Sequence, residues 1–552
     1  MILESIRVHL VILAFVIMTG AMCARVIYLH AFDNDFLQDQ GDARTIRMER
    51  INAHRGMIRD RQGKPLAVST PVVSLWANPQ ELLKNPGKLD FLALLLEVPP
   101  SDFEKKLGRN AAREFVYLRR HMPPPNAQRI LDLGIKGVYG EREYQRFYPA
   151  GEVAAHLVGF TNVDDRGQEG VELSYNTWLE GKPGKKKVLK NLYGEIIRDV
   201  MPVDEMVAGK SLDLSIDLRL QYLAYRELKS AINYYKAESG AVVILDVESG
   251  AVLSLVNQPS YNPNNRVDLD LASIRNRAVT DIFEPGSTVK PFTVAVALRS
   301  GEYQRDSTID TSPGFIKVGK KTILDPRNMG VLDLGGIIAK SSQVGITKLA
   351  LSLNEYEIYT MFSEVGFGQS AGIGFPGESN GYLPNRRRWS DIERATFAYG
   401  YGLQVTPLQL AAAYQVIASG GVKKSITLLT GQNVESRRVL GEEISDDIKK
   451  MLARVITEGT GSKASINAYS VAGKTGTARK VGKAGYEDTR HLAFFVGMTP
   501  VIRPRLVGVV MINDPKGDKY GGGAIAAPLF SKIMSEALRL LNVPPDNLEE
   551  AA

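Results

Sequence analysis

Hydrophobic and polar positions change rhythm several times along the 552 residues, and each rhythm predicts an element. The first is an apolar run at residues 8–29, VHLVILAFVIMTGAMCARVIYL, long enough to cross a bilayer, with Arg25 placed to snorkel to the interface. GAMCA is followed by more apolar sequence, so an uncleaved anchor is expected rather than a cleaved signal peptide or a buried core helix. Only Arg7 flanks the short N-terminal side, beside Glu4, which leaves the orientation open. From there to about residue 213, short alternating runs broken by Gly and Pro predict strands and turns rather than long helices. Inside this region HMPPPN, residues 121–126, reads as a loop. The basic tract EGKPGKKKVLKNLYGE, residues 180–195, reads as a turn leading into an exposed edge.

Helical spacing then sets in, with Leu220, Leu223, Ala224, Leu228 and Ile232 on one face behind an Asp217 cap. SGAVVILDVESGAVLSLVN follows as two β-branched runs around a short Glu-Ser-Gly turn, a hairpin. Three more strands are expected in YSVAGKTGTARKV, HLAFFVGMTP and RLVGVVMIND, and APLFSKIMSEALRLL returns to helix period. Two early and three late strands thus bracket a helical insertion from about residue 282 to 458. The arrangement predicts one antiparallel sheet with a helix on each flank, an α+β layer fold.

Length adds that more than one domain is needed. The net charge of +7 would suit a polyanion, but the basic residues are scattered and no aromatic ladder accompanies the one basic tract, so nucleic acid is not expected. An anionic membrane surface or wall polymer suits the balance equally. A single cysteine, Cys23, excludes an intrachain disulfide framework, and six histidines without ligand spacing argue against a metal.

The candidate chemistry begins in FEPGSTVKPF. Pro291 is tolerated only in the first turn of a helix, so Ser287 falls at or next to the helix start, and Lys290 shares its face within hydrogen-bonding reach. A buried lysine with a lowered pKa can take the proton of a serine nucleophile, and a helix N-terminus offers N–H groups to an oxyanion. A serine cap followed by a surface lysine fits the same letters. In AKSSQVGITKLALSL, Ser341 and Ser342 fall in a turn between helical patterns, where ordinary capping also fits. In VAGKTGTARK, a strand carrying Lys474, Thr475 and Thr477 around Gly476 suits an extended peptide ending in carboxylate, or is simply an exposed polar strand. Their order, Ser-x-x-Lys, then Ser-Ser-Gln, then Lys-Thr-Gly, approximates the set that marks penicillin-binding proteins and class A β-lactamases.

With these motifs the chain resembles the class B penicillin-binding proteins, the monofunctional peptidoglycan D,D-transpeptidases, and within them the septal, cell-division type. RGMIRDRQGKPLA, RFYPAGEVAAHLVGFTNVDDRGQEGVE, AYGYGLQVTPLQLAAAYQVIASGG and YGGGAIAAPLF are similar to other blocks of that family. The resemblance implies an α+β transpeptidase fold, a five-stranded antiparallel sheet flanked by helices, preceded by an elongated mixed α/β pedestal and one transmembrane helix. The expected division is an anchor at 1–30, a pedestal at 31–215 and the transpeptidase domain at 216–552. It implies Ser287 as acyl-accepting nucleophile, Lys290 as its base, Ser341 as proton relay, and Lys474 and Thr475 as holders of the D-Ala carboxylate. The backbone N–H groups of Ser287 and Thr477 would form the oxyanion hole, next to Gly476. No cofactor and no metal are implied. The implied partners are stem peptides, β-lactams, a membrane glycosyltransferase and other division proteins, with the anchor in a bacterial inner membrane and the catalytic domain in the periplasm.

One position departs from the family: Gln343 stands where Asn is usual, one methylene longer, and weaker positioning of Lys290 and of the substrate carbonyl is expected. A catalytically weak paralogue serving as a division scaffold is the corresponding alternative. A β-lactamase or carboxypeptidase would need a deacylating base, for which no Glu is recognisable. Arg55, Arg59, Asp60, Arg146 and Glu169 are expected to form a structural ion-pair network away from the cleft.

Overall fold

The computed structural model describes residues 2–31, 46–190, 196–482 and 485–547. The chain divides into two compact units, Met1–His54 with Glu180–Gly209, and Arg55–Leu179 with Lys210–Ala552.

In the first unit the apolar run forms the helix Ile2–Ala31, and its apolar side chains are exposed, so it is not the buried core helix of a soluble domain. The same unit holds a three-stranded antiparallel sheet of Ile46–Ile51, Gly184–Lys190 and Ile196–Asp204. Here the expected edge is corrected: the basic tract is the middle strand, paired on both sides. Acids on the flanking strands make this possible, since Lys186 faces Glu49 at 3.7 Å and Asp199 at 3.1 Å, and Lys185 faces Asp204 at 3.8 Å. The end of that tract, residues 191–195, lies outside the described residues.

In the second unit, residues 55–179 build around one long strand, Pro65–Ala77, which pairs with Ile58–Arg59, Val116–Met122 and Val138–Phe147. Short helices cover it with a core of Leu75, Leu92, Phe103, Leu107 and Ile130. HMPPPN is not a loop. Met122 ends a strand, and Pro124–Leu131 is a helix whose first positions are prolines, where a missing N–H costs nothing. The ion-pair network forms with one exchange of acid. Arg55 and Arg146 each place Nε 2.6 Å from Glu172, and all three residues are buried. Arg59 pairs with Asp213 at 2.6 Å, and Asp60 accepts the backbone N–H groups of Gln62, Lys64 and Leu218. Glu169 takes no part: it precedes the helix Gly170–Ser174 in extended backbone, whereas Glu172 lies on that helix's buried face.

The second unit also contains the expected sheet, with strands β1 (Ser239–Asp246), β2 (Val252–Gln258), β3 (Ala472–Gly482), β4 (Gly485–Thr499) and β5 (Leu506–Asn513). All pairings are antiparallel, in the order β2-β1-β5-β4-β3, which leaves β3 at an edge. Seven helices position the site: α1 (Leu218–Tyr234), α2 (Lys290–Ser300), α3 (Leu334–Lys340), α4 (Gln343–Ser352), α5 (Pro407–Ala418), α6 (Glu442–Thr457) and α7 (Gly522–Leu540). Asp217 caps α1 through the Arg219 N–H, as its sequence predicts. Successive β1 residues serve opposite faces. Val242 and Ile244 pack with Leu220, Leu228 and Phe530 under α1 and α7, while Val243 and Leu245 join Leu408 and Leu410 under α5. Both faces are thereby buried, which is why β1 reads as an unbroken apolar run rather than an alternating one.

Candidate active site

Ser287 lies in a 3₁₀ turn, Gly286–Val289, that runs straight into α2, with Pro291 in the first α-helical turn, as the proline requires. A second segment clamps this turn from behind. Phe283 exchanges backbone hydrogen bonds with Val405, the Gly286 N–H donates to Gly400 O at 3.1 Å, and the buried Tyr414 Oη donates to Thr288 O at 2.8 Å. Gly400 is obligatory here, because at φ +93 an added Cβ would lie 2.1 Å from Gly286 O.

Lys290 is fully buried, and its amine does not go to Ser287. It donates to Ser341 O at 2.6 Å, Ser341 Oγ at 3.2 Å and Ser342 O at 3.3 Å, and Ser341 Oγ in turn donates to Ser287 Oγ at 3.0 Å. The expected direct contact is therefore replaced by a chain through Ser341. The physical reason lies at the end of α3, where Ser341 closes the helix and its carbonyl is free to attract a cation. Burial pushes the Lys290 pKa well below the ordinary lysine value, the nearby Lys474 charge pushes the same way, and Asp325 opposes both.

Opposite stands the edge strand. Lys474, Thr475, Gly476 and Thr477 pair with Val496, Phe495, Phe494 and Ala493 of β4, and β3 packs against the Ser287 turn. A Cβ on Gly476 would fall 1.9 Å from the Phe494 ring, so only glycine fits. Lys474 has no exposed surface, and burial brings its pKa down to about 7. Thr475 Oγ1 shares a 2.7 Å hydrogen bond with Thr460 Oγ1, and Thr477 Oγ1 accepts the Gly522 N–H at the start of α7, 3.0 Å away.

Residues 240–535 match the family described as "Penicillin binding protein transpeptidase domain". The chain belongs to the penicillin-binding transpeptidases. Residues 50–214 match the "Penicillin-binding Protein dimerisation domain" that accompanies it. Peptidoglycan D,D-transpeptidase FtsI of Escherichia coli K12 is 43% identical over 96% of this chain and 90% of its own length. The protein of Pseudomonas aeruginosa named "Probable peptidoglycan D,D-transpeptidase PbpC" is 42% identical over 99% and 97%. Among solved structures, Penicillin binding protein 3 of Mycobacterium tuberculosis complexed with aztreonam superposes with a TM-score of 0.70 at 26% identity, covering 90% of this chain and 98% of that one. The apo transpeptidase domain of penicillin-binding protein 3 from Burkholderia pseudomallei reaches a TM-score of 0.56 at 38% identity, over 60% and 97%.

In this penicillin-binding protein, Gln343 opens α4, and its backbone N–H is held by Asp325 Oδ1 at 2.5 Å. Its side-chain amide makes no hydrogen bond to another described residue, and Lys290 is held by the two serine carbonyls instead. Asp325 is the residue that reading the sequence misses. It is buried, it follows a strand of a small hairpin, and nothing in ILDPRN separates it from an ordinary turn aspartate.

Proposed function

We propose that the protein is a peptidoglycan D,D-transpeptidase of septal type that cross-links stem peptides through an acyl-enzyme on Ser287 and is acylated by β-lactams. The observation that carries this reading is the continuous hydrogen-bonded chain from Lys290 through Ser341 to Ser287. In the neutral form that burial favours, and with both hydroxyl protons turned toward the amine, Lys290 takes the Ser341 proton while Ser341 takes that of Ser287 as Ser287 Oγ attacks the carbonyl of a D-Ala-D-Ala bond. The backbone N–H groups of Ser287 and Thr477 receive the oxyanion, and Gln343 turns toward the donor's amide. The C–N bond then breaks, and the D-Ala amine leaves with a proton returned through Ser341. An amine from a neighbouring stem attacks the ester, loses its proton to the same relay and releases Ser287. Lys474 and Thr475 hold the terminal carboxylate, and β3 offers its outer backbone edge to the extended donor.

The division we propose is an anchor at 1–30 in a bacterial inner membrane, a pedestal at 31–215 and a transpeptidase domain at 216–552 facing the periplasm. A membrane glycosyltransferase and other division proteins are the proposed partners. Fluorescent penicillin should label the full-length protein covalently, and Ser287→Ala should abolish the label; labelling that survives the change removes Ser287 from this role. The unbonded Gln343 amide favours one second reading, a division scaffold with slow chemistry. Rescue of a division defect by the Ser287→Ala copy would select it.

A further inference from the structure

The serine pair of the second motif is held by an acid that no motif names. Ser341 sits in left-handed backbone at φ +59, a conformation strained for a non-glycine residue that persists only where its surroundings fix it. Its own N–H and that of Ser342 are bonded back into α3, to Ile338 O at 3.2 Å and Ile337 O at 3.0 Å. The far side of the turn is fixed by Asp325. Oδ2 of this buried carboxylate accepts the Ser342 hydroxyl at 2.5 Å, and Oδ1 accepts the N–H groups of Gln343 at 2.5 Å and Val344 at 3.3 Å. Those are the first amides of α4, where the helix dipole favours an anion. Ser342 Oγ also accepts the Gly345 N–H at 2.8 Å, so the whole first turn of α4 is tied to one carboxylate. Asp325 itself follows the hairpin Phe315–Val318 and Lys321–Leu324, and its backbone N–H donates to Gly314 O at 2.9 Å across the hairpin's open end.

We propose that Asp325 is a positioning residue for acyl transfer, an inference that rests on reading Ser287 as the nucleophile. It locks Ser342 and the start of α4, so that Ser341 presents its carbonyl to Lys290 and its hydroxyl to both Lys290 and Ser287, and its negative charge offsets the Lys290 ammonium. Among the described residues two charged groups act on Lys290. Lys474, from β3, drives it toward the neutral amine, and Asp325, from the hairpin, holds it toward the cation. Removing the Asp325 charge therefore lets Lys290 become neutral, and competent as a base, at lower pH.

The test is the second-order rate of acylation by fluorescent penicillin against pH, for the full-length wild type, Asp325→Asn and Ser342→Ala in detergent. Asp325→Asn keeps the size and one acceptor; it should slow acylation by about a hundredfold through misplacement of Ser341 and move the acid limb of the profile to lower pH. Ser342→Ala keeps the carboxylate and should slow the reaction with the limb unmoved. A wild-type rate in Asp325→Asn, or a reduced rate whose acid limb stays in place, overturns the proposal. If Asp325→Asn does not fold, Ser342→Ala decides: a wild-type rate there overturns the lock. Absence of labelling in the wild type would refute the transpeptidase reading itself, a result distinct from normal wild-type labelling with an unaffected Asn variant.

Discussion

Replacing Lys474 by Met deletes a buried ammonium and keeps the aliphatic stem, so stability and chemistry should move in opposite directions. Among the described residues the Lys474 amine has only long contacts to Thr475, O at 3.3 Å and Oγ1 at 3.4 Å, and is poorly compensated. Burial lowers its pKa from 10.5 to about 7, a difference worth about 5 kcal/mol at about 1.4 kcal/mol per unit. Because the folded value lies below the unfolded one, the unfolded chain binds the extra proton between about pH 7 and 10.5, and stability rises with pH across that window. Below it, both states are charged and the folded protein bears the full cost of burial. Lys474→Met should therefore raise Tm most at about pH 6, and its advantage should shrink by about 1.4 kcal/mol for each pH unit above about 7. Paired thermal melts of wild type and variant at about pH 6 and about pH 9 read this, because the other titrating groups are common to both and only Lys290, on which the Lys474 charge also acts, responds with it. Penicillin acylation of the same variant should fall at least about thirtyfold, because the carboxylate of the donor mimic loses its cation. A Tm advantage equal at both pH values, or a wild type more stable than the variant at the lower one, refutes the reasoning.

Two further substitutions test the turn and the relay. Gly400→Ala sets a Cβ 2.1 Å from Gly286 O in backbone at φ +93, so it should displace the Ser287 turn and abolish penicillin labelling, while circular dichroism keeps the wild-type helix signal. Gln343→Asn brings the amide closer on a side chain with one fewer rotor, and acylation followed by stopped flow should speed up by about fivefold; an unchanged rate would mean that the amide does not limit the wild type.

What was legible in the sequence follows from the range of the forces involved. Pro291 restricts its own helix locally, so the Ser287 turn could be placed from ten letters, and the β1 and β2 hairpin announced itself through two apolar runs and a turn. Apart from the proline-started helix Pro124–Leu131, the corrections concern partners distant in the chain. Whether Gly184–Lys190 is an edge or a middle strand depends on Glu49 and Asp199 arriving from elsewhere. The i,i+3 rule puts Lys290 on the face of Ser287, yet the amine is drawn to the free carbonyl at the end of α3, fifty-one residues on. Glu172 and Asp325 were invisible for the same reason. A buried acid is recognised by the donors that fold around it, here Arg55 with Arg146, and Ser342 with the first amides of α4.

The position of β3 at the rim of its sheet also bears on how the protein stays soluble. An open strand edge ordinarily invites a second copy to add itself and seed aggregation, and most proteins cover, shorten or twist such edges. A transpeptidase that admits an extended peptide there must leave the edge uncovered, so composition has to discourage the wrong guest. Arg479 and Lys480 stand toward the outer end of this strand, Arg479 steadied by Asp488 at 2.8 Å and Lys480 by Glu238 at 3.0 Å. Edge-to-edge stacking of two copies would set these cations against one another, whereas a chain ending in a carboxylate meets no such barrier. Charge at the outer end of the strand thus guards its edge against self-association.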